Sequence, residues 1–257
     1  MIALVAALAA LAQAQPLPAP PEPAKQVQFT PPKADAIPDT PLGDMVRFGR
    51  DIFTDTQRYA KPYVGNKLNC QNCHLDAGSL ANSAPLWAAY VAYPAFRTKN
   101  EQVNTFEKRL QGCFRYSMNG KVPPADSGVV TALTAYAFWL AQGAPVGAHL
   151  AGRGYPAVPD PPLPASAQRG EKTYAQHCAA CHQADGSGVP GSFPPVWGRD
   201  SYNKGAGMHT VSTAAAFIKA NMPLGQPNTL TDQEAWDVAA YINGKPRPKD
   251  PRLPPPR

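Results

Sequence analysis

Two cysteine pairs, each followed directly by a histidine, carry the clearest chemistry in this sequence: CQNCH at 70–74 and CAACH at 178–182. Cys-x-x-Cys-His is the attachment signature of c-type haem, in which both sulfurs form thioether bonds and the histidine binds iron. A single Cys-x-x-Cys also occurs in redox disulfides and zinc sites, but two copies with adjacent histidines disfavour both. The sequence therefore predicts two covalently bound haem c groups, held by Cys70, Cys73, Cys178 and Cys181, with His74 and His182 as axial ligands.

The second axial ligand decides whether a haem relays electrons or performs chemistry. For the second motif the candidates are Met208, His209 and Met222. Met222 directly precedes a proline just past a predicted helix, where the chain must turn, as in small cytochrome c domains. A thioether ligand favours ferrous iron and raises the reduction potential. We therefore expect Met222 to be the ligand, with Met208 in reserve.

Cys113 is the fifth cysteine, and no sixth cysteine exists in the chain to form a disulfide with it. It is interpreted either as a buried structural thiol or as a second axial ligand of the first haem, for which Met118 also competes. Helical spacing places Phe106, Arg109, Cys113 and Ser117 on one face. Because arginine favours the thiolate, the form that binds iron or attacks sulfur, these neighbours favour a functional role.

Positive charge is concentrated around Cys113. Residues 97–121 contain six basic and two acidic side chains, a local balance of +4 within a net charge of +6. Such a run is commonly a solvated surface. Beside a haem and an activated thiol it also suits a small dianion, and Arg109 is the residue expected to contact it. Nucleic acid is not expected as a partner, because no nucleic-acid-binding motif accompanies the charge.

Proline-rich segments divide the chain. We predict a signal peptide at 1–14, cleaved near Ala14, and a disordered spacer at 15–38. A first haem domain at 39–151, a linker at 152–165, a second haem domain at 166–244 and a frayed basic tail at 245–257 follow. The apolar run of the leader is shorter than the ~20 residues of a membrane span, so no stable span is expected. Bacterial haem attachment occurs outside the cytoplasm, which predicts a periplasmic protein.

The readable elements in both domains are helices. Asn104 and Glu107 have the spacing of a capping box before the Cys113 helix, and Thr231 and Glu234 have it before the last helix. A helix before Met222 is expected to end at Pro223. No run of strands is evident, so the fold class is mainly α, with short helices packed around a haem in each half.

The sequence resembles the dihaem thiosulfate dehydrogenases. The matching stretches are CQNCHLDAG, WAAYVAYPAFRTKNEQVNTFEKRLQGCFRYSMNG, CAACHQADGSGVPGSFPPVWG and NMPLGQPNTLTDQEAWDVAAYI. The segment ending in Cys-x-x-x-Ser-Met-Asn-Gly is specific, since cytochrome c domains in general lack it. The resemblance implies two cytochrome c-like helical domains joined by the proline-rich linker. It also implies oxidation of two thiosulfate ions to tetrathionate, with electrons passed to a cytochrome c or similar acceptor.

The resemblance also implies roles for individual residues. The axial ligands of the catalytic haem fall on His74 and Cys113, and two family site residues fall on Arg109 and Ser117. A further basic residue lines the substrate pocket in this family, and either Arg97 or Lys99 matches it. Some members place a lysine directly before the second methionine and exchange ligands. Here Asn221 holds that position and Lys219 lies farther back, so plain His182/Met222 ligation is expected.

These residues suggest a mechanism and an alternative. Thiosulfate would bind at Arg109, and its outer sulfur would meet the Cys113 sulfur or the iron, while electrons leave through the Met222 haem. The reverse reaction, reduction of tetrathionate, is chemically open. The alternative function is a dihaem electron carrier without a substrate, which predicts methionine ligation at both haems, with Met118 at the first.

Overall fold

The computed structural model describes residues 26–253, and its regular structure is almost entirely helical. The predicted signal peptide, with Ala14, lies outside the described residues. No helix within 26–253 combines the length and the apolar character needed to cross a membrane. In the first half the helices are α1 (Pro41–Thr54), α2 (Thr56–Tyr59), α3 (Leu86–Val91), α4 (Phe106–Tyr116) and α5 (Gly128–Leu140). In the second half they are α6 (Ala167–His177), α7 (Ala179–His182), α8 (Val211–Asn221) and α9 (Asp232–Gly244).

Each half is built on a close crossing of its first and last long helices, α1 with α5 and α6 with α9. A glycine lies at each crossing. A Cβ atom on Gly49 of α1 would lie 2.0 Å from the carbonyl oxygen of Ala132 on α5. A Cβ atom on Gly170 of α6 would lie 2.0 Å from the carbonyl oxygen of Asp237 on α9. Only glycine permits this backbone contact, so the two halves use the same packing device.

Two separate groups of buried apolar side chains form the cores. The first includes Trp87, Phe114 and Leu133 and lies in the first half. The second includes Tyr174, Val238 and Ile242 and lies in the second half. The prediction of a mainly α fold with one helical domain around each haem motif is confirmed, while the exact domain boundaries stay predictions.

The capping predictions have different outcomes. Thr231 and Glu234 form the predicted reciprocal capping box at the start of α9. Asn104 is not the N-cap of α4. Its side chain accepts a hydrogen bond from the Asn100 amide at 3.0 Å, and Thr105 caps the helix instead.

A short hairpin that the sequence did not predict precedes α4. Its strands are β1 (Ala95–Arg97) and β2 (Gln102–Asn104), paired antiparallel with Phe96 opposite Val103. Strands of three residues carry too little alternation of polar and apolar residues to stand out in a sequence.

Parts of the proline-rich segments contact the rest of the molecule. The Val27 N–H donates to the His149 carbonyl at 2.9 Å, and the Phe29 ring lies 5.4 Å from the Trp87 ring. These contacts argue against disorder at Val27 and Phe29, while the spacer as a whole stays a prediction. In the predicted tail, Arg247 and Asp250 are buried whereas Leu253 is 65% exposed, and the frayed tail as a whole stays a prediction. Proline content predicts an extended backbone but does not determine whether other parts of the chain cover it.

Candidate active site and haem sites

The first haem motif follows α2 as a tight 3₁₀ turn, Cys70–Asn72. The Thr56 hydroxyl donates to the Cys70 sulfur at 3.3 Å, and burial raises the pKa of the Cys70 thiol to about 12. His74 Nδ1 lies 2.7 Å from the carbonyl oxygen of Ala84, which can only accept a hydrogen bond. Nδ1 therefore carries the proton and Nε2 keeps its lone pair. Burial also lowers the pKa of His74, so the imidazole is the neutral form that binds metals.

A cavity of about 350 Å³ opens beside this motif. Cys70, Cys73 and His74 line part of it, and most other lining side chains are apolar, including Phe53, Leu86 and other residues of the first core. Two thiols, an imidazole with a free nitrogen and apolar walls are the features that a covalently attached haem requires. The residues present therefore fit haem c.

Helix α4 contributes the candidate reactive groups to the same cavity. Phe106, Arg109, Cys113 and Ser117 all line it, which confirms the predicted helical face. The negative charge of a Cys113 thiolate is the main cause that raises the pKa of Arg109. The guanidinium also interacts with the Tyr93 hydroxyl, and Tyr93 lines the cavity too. A cation and a sulfur that can ionise thus lie together beside the haem motif.

The two candidate substrate cations lie in different places. Arg97, at the end of β1, lines the cavity. The Lys99 ammonium instead donates to the Gly205 carbonyl of the second half and lies 4.7 Å from the Tyr116 ring centre. The structure thereby favours Arg97 over Lys99 as the second cation for a ligand in this cavity.

The cavity also contains residues that bear on the alternative ligand set. Met118 lines the cavity and is 3% exposed. Its side chain therefore lies beside the same space as Cys113, and position alone does not choose between the two as ligand of the first haem.

The sequence analysis missed Tyr93 and the Ala84 carbonyl. No sequence signal marks a backbone carbonyl as the partner of a histidine, and Tyr93 lies sixteen residues before Arg109 with no periodic relation to it.

The second haem motif spans the end of α6 and the short helix α7. His182 Nδ1 donates to the Pro194 carbonyl at 2.9 Å, which again leaves Nε2 free, and burial lowers the pKa of His182. Met222 caps the C-terminus of α8 in an extended conformation and packs against the second core, as does Cys178. Met208, the reserve candidate, packs against both cores.

Lys219, the nearest lysine before Met222, and Asn221, which holds the position directly before it, both make other contacts. The Lys219 ammonium donates to the Leu230 carbonyl at 2.5 Å and pairs with Asp232 at 3.1 Å. The Asn221 amide donates to two backbone carbonyls. Lys219 is therefore not free to replace Met222 without breaking these contacts.

Comparisons with known proteins agree with this architecture. The family model "SoxA/TsdA, cytochrome c domain" matches residues 56–146, and "Cytochrome C oxidase, cbb3-type, subunit III" matches 165–242. The chain is 55% identical to a thiosulfate dehydrogenase of Stutzerimonas stutzeri, over 88% of this chain and 75% of that protein. It is 56% identical to one of Thiomonas intermedia, over 88% of this chain and 73% of that protein.

A solved structure of a known protein is also similar to this chain. The chain resembles a thiosulfate dehydrogenase (TsdBA) of Marichromatium purpuratum with a TM-score of 0.84 and 54% identity. The match covers 88% of this chain and 51% of that one, so this chain spans about half the length of that protein. Two cytochrome c domains imply two covalently bound haem c groups, as the two motifs predict.

Proposed function

The chain belongs to the thiosulfate dehydrogenase family, and from this premise we propose that it joins two thiosulfate ions into tetrathionate in the cavity of the first half. The observation that carries the proposal is the shared cavity: Arg109 and Cys113 line the same space as the haem motif that ends in His74. An electron carrier without a substrate has no need of a cation and an ionisable sulfur at that place.

We propose that His74 and Cys113 would hold the haem iron in the first half, and that His182 and Met222 would hold it in the second. When bound, the two haem groups accept one electron each, so together they can take the two electrons of the reaction. The ligand proposal is supported by the free Nε2 atoms of both histidines and by the position of Cys113 in the cavity.

Substrate binding depends on positive charge. Thiosulfate is a dianion, and two of them must approach each other before their sulfurs can bond. Arg109, beside Cys113, binds the sulfonate end of the first ion, and Arg97 at the cavity wall reduces the repulsion of the second. Ser117, one turn after Cys113, supplies a hydroxyl that donates a hydrogen bond to bound substrate or to the thiolate.

The sulfur chemistry proceeds in two balanced steps. The Cys113 thiolate forms a bond to the outer sulfur of the first thiosulfate, an oxidation whose two electrons the two bound haem groups would accept, one each. The outer sulfur of the second thiosulfate then attacks that same sulfur atom. The bond to Cys113 breaks, the cysteine recovers its electron pair as thiolate, and tetrathionate leaves. Run backwards, the same steps reduce tetrathionate to two thiosulfate ions.

We further propose that the protein acts in the periplasm after removal of residues 1–14, and that a cytochrome c-type protein accepts the electrons from the second half. The location is supported by the covalent attachment motifs, because bacteria attach haem c outside the cytoplasm. Rates measured with thiosulfate plus an oxidant, and with tetrathionate plus a reductant, determine the favoured direction.

The test of the proposed function compares Cys113→Ala with Met118→Leu. Cys113→Ala removes the reacting sulfur but keeps all four attachment cysteines, so we expect both haems to remain bound while thiosulfate oxidation falls at least about 100-fold. Met118→Leu keeps the volume and should retain most activity. Mass spectrometry should also detect a thiosulfate-derived adduct on the Cys113 peptide. Unchanged turnover in Cys113→Ala would reject the mechanism and support the electron-carrier alternative.

A further inference from the structure

The end of helix α8, which carries Met222, is tied directly to the first half of the molecule. Asn221 precedes Met222 and is 5% exposed. Its side-chain amide donates to the Asn82 carbonyl at 3.1 Å and to the Phe217 carbonyl, one turn back on α8, at 3.1 Å. One buried amide group therefore bridges the two halves immediately beside the candidate methionine ligand.

The acceptor of this bridge lies in the loop that orients His74. Asn82 is two residues from Ala84, whose carbonyl accepts the proton of His74 Nδ1. The loop is fixed by the linker, because the Asn82 and Ala84 N–H groups donate to the Gly152 and Gly154 carbonyls at 2.6 and 2.8 Å. The first haem histidine and Met222 are thus connected through a short run of backbone and one side chain.

A second contact converges on the same helix. The Tyr155 hydroxyl donates to the Cys73 carbonyl at 2.9 Å, inside the first haem motif. Its ring packs edge-on against the Phe217 ring, with 5.4 Å between centres. Phe217 is also the residue whose carbonyl accepts from Asn221. Both contacts therefore hold the last turn of α8 against the first haem motif and its loop.

We propose that Asn221 is a positioning residue that holds Met222 on the iron of the second haem by anchoring the end of α8 to the His74 loop, with Tyr155 as a secondary support. The inference rests on the Met222 ligation in the proposed function. The chain leaves the helix at Met222, so the helix alone does not fix the direction of its side chain. Asn221 supplies the missing constraint, and methionine binding in the second half then depends on contact with the first.

The test is a ligand competition on the full-length protein with both haems attached. A ferric haem shows a far-red absorption band when methionine is its ligand, and imidazole abolishes that band by displacing the sulfur. Asn221→Ala removes the amide, and Asn221→Leu removes it while keeping a similar volume. We expect both variants to lose the band at about fivefold lower imidazole concentration, the effect of losing one such hydrogen bond. The reduction potential of the second haem should fall in parallel, because a less firmly held thioether favours ferrous iron less.

The matched control is Asn82→Gly, which keeps the accepting carbonyl and tolerates the left-handed backbone of this exposed position, φ 65°. It should match the unmodified protein. Equal imidazole midpoints in all variants would overturn the proposal, and so would absence of the methionine band from the unmodified protein. If neither Asn221 variant folds, Tyr155→Phe should lower the midpoint about twofold, and no change would count against the proposal. Because the competition is independent of thiosulfate turnover, its failure is distinct from failure of the Cys113 mechanism.

Discussion

The side chains around Cys113 determine what its sulfur can do. A cysteine surrounded by hydrocarbon is an inert apolar side chain, and burial raises the pKa of its thiol. Cys113 is only partly buried, and the guanidinium of Arg109 responds to its charge with a raised pKa. In this pair the negative charge of a Cys113 thiolate stabilises the Arg109 cation. In the proposed mechanism the same cation attracts the anionic substrate to the sulfur.

The two basic residues that the sequence could not separate, Arg97 and Lys99, provide a test at the residue scale. Arg97 lines the cavity, whereas Lys99 is engaged with the Gly205 carbonyl. We expect Arg97→Gln to raise the KM for thiosulfate about fivefold to tenfold, because a charge-assisted contact at a partly solvated site is lost. Lys99→Gln removes the same charge and should change KM less than about twofold. Steady-state rates with a saturating oxidant measure both, and a larger effect for Lys99 would assign the substrate contact to that residue.

The sequence located Cys113, Arg109 and Ser117 because the helical period alone brings residues four apart together. It could not choose between Arg97 and Lys99. That choice depends on the hairpin of β1 and β2, which turns Arg97 toward the cavity region and lets Lys99 reach the second half. Long-range placement of this kind leaves no local signal in a sequence.

At the scale of elements, the helix crossings set the framework that carries both haem motifs. Gly49 and Gly170 allow the backbones of each crossing to touch, and the haem motifs follow α1 and α6 closely in the chain. A shift of either crossing would move the motif relative to the helix that faces it. Gly49 itself does not line the cavity of the first half.

Substitution of Gly170 tests the importance of this contact. In Gly170→Ala the new Cβ atom would meet the backbone oxygen of Asp237 at 2.0 Å, and the backbone cannot move aside cheaply. We expect a loss of about 3 kcal/mol or more in the free energy of unfolding, measured by denaturant titration. Gly128→Ala, at the first residue of α5 with no neighbour within 4 Å, is the control and should stabilise by up to about 1 kcal/mol. Similar values for the two variants would disprove the close crossing.

Helix positions were predictable from the sequence where local chemistry fixes them. The Thr231 and Glu234 box is a reciprocal pair of hydrogen bonds within four residues, so its pattern survives folding. The α4 cap was shifted by one residue because Asn104 had a competing partner, Asn100, within the hairpin. Tertiary structure thus overrode a local preference that was otherwise correct.

At the scale of the whole molecule, the second half contacts both the end of α4 and the segment before the first haem motif. Asn203 donates through its side chain to the Arg115 carbonyl at 2.9 Å, and Lys67 pairs with Asp200 at 2.8 Å. The C-terminal segment 245–253 also contacts other parts of the molecule. There the Arg247 guanidinium lies 4.1 Å from the Tyr202 ring centre, and Asp250 is 8% exposed. Composition suggested a loose tail, but Arg247 contacts both the nearby Ile242 carbonyl and the distant Tyr202, and the distant contact leaves no signal in the composition.

Two aspartates, Asp250 in the C-terminal segment and Asp237 in α9, make the free energy of unfolding sensitive to acid. Hydrogen bonds from Arg252 lower the pKa of Asp250 to about 2. For Asp237 burial raises the pKa, but hydrogen bonds led by Arg169 outweigh it and the net pKa is lowered. Aspartate in an unfolded chain has a pKa of about 3.9. Between those values the unfolded state binds more protons than the folded state, so stability is complete above about pH 4 and is lost as the pH falls toward about 2.

The acid dependence yields a prediction for Asp250→Asn. A depression of about two pKa units corresponds to about 2.6 kcal/mol, and solvent screening at the half-exposed Arg252 reduces this to about 1 kcal/mol. We expect the variant to be about 1 kcal/mol less stable than the unmodified protein at pH 5, with the difference shrinking as the pH falls through about 2, where the folded Asp250 carboxylate becomes protonated. Urea titrations at several pH values measure this. Asp44→Asn, which breaks an ion pair whose aspartate side chain is 73% exposed, should show little pH-dependent difference. A difference for Asp250→Asn that persists unchanged to about pH 2 would show that packing, and not the charge of the carboxylate, holds the segment in place.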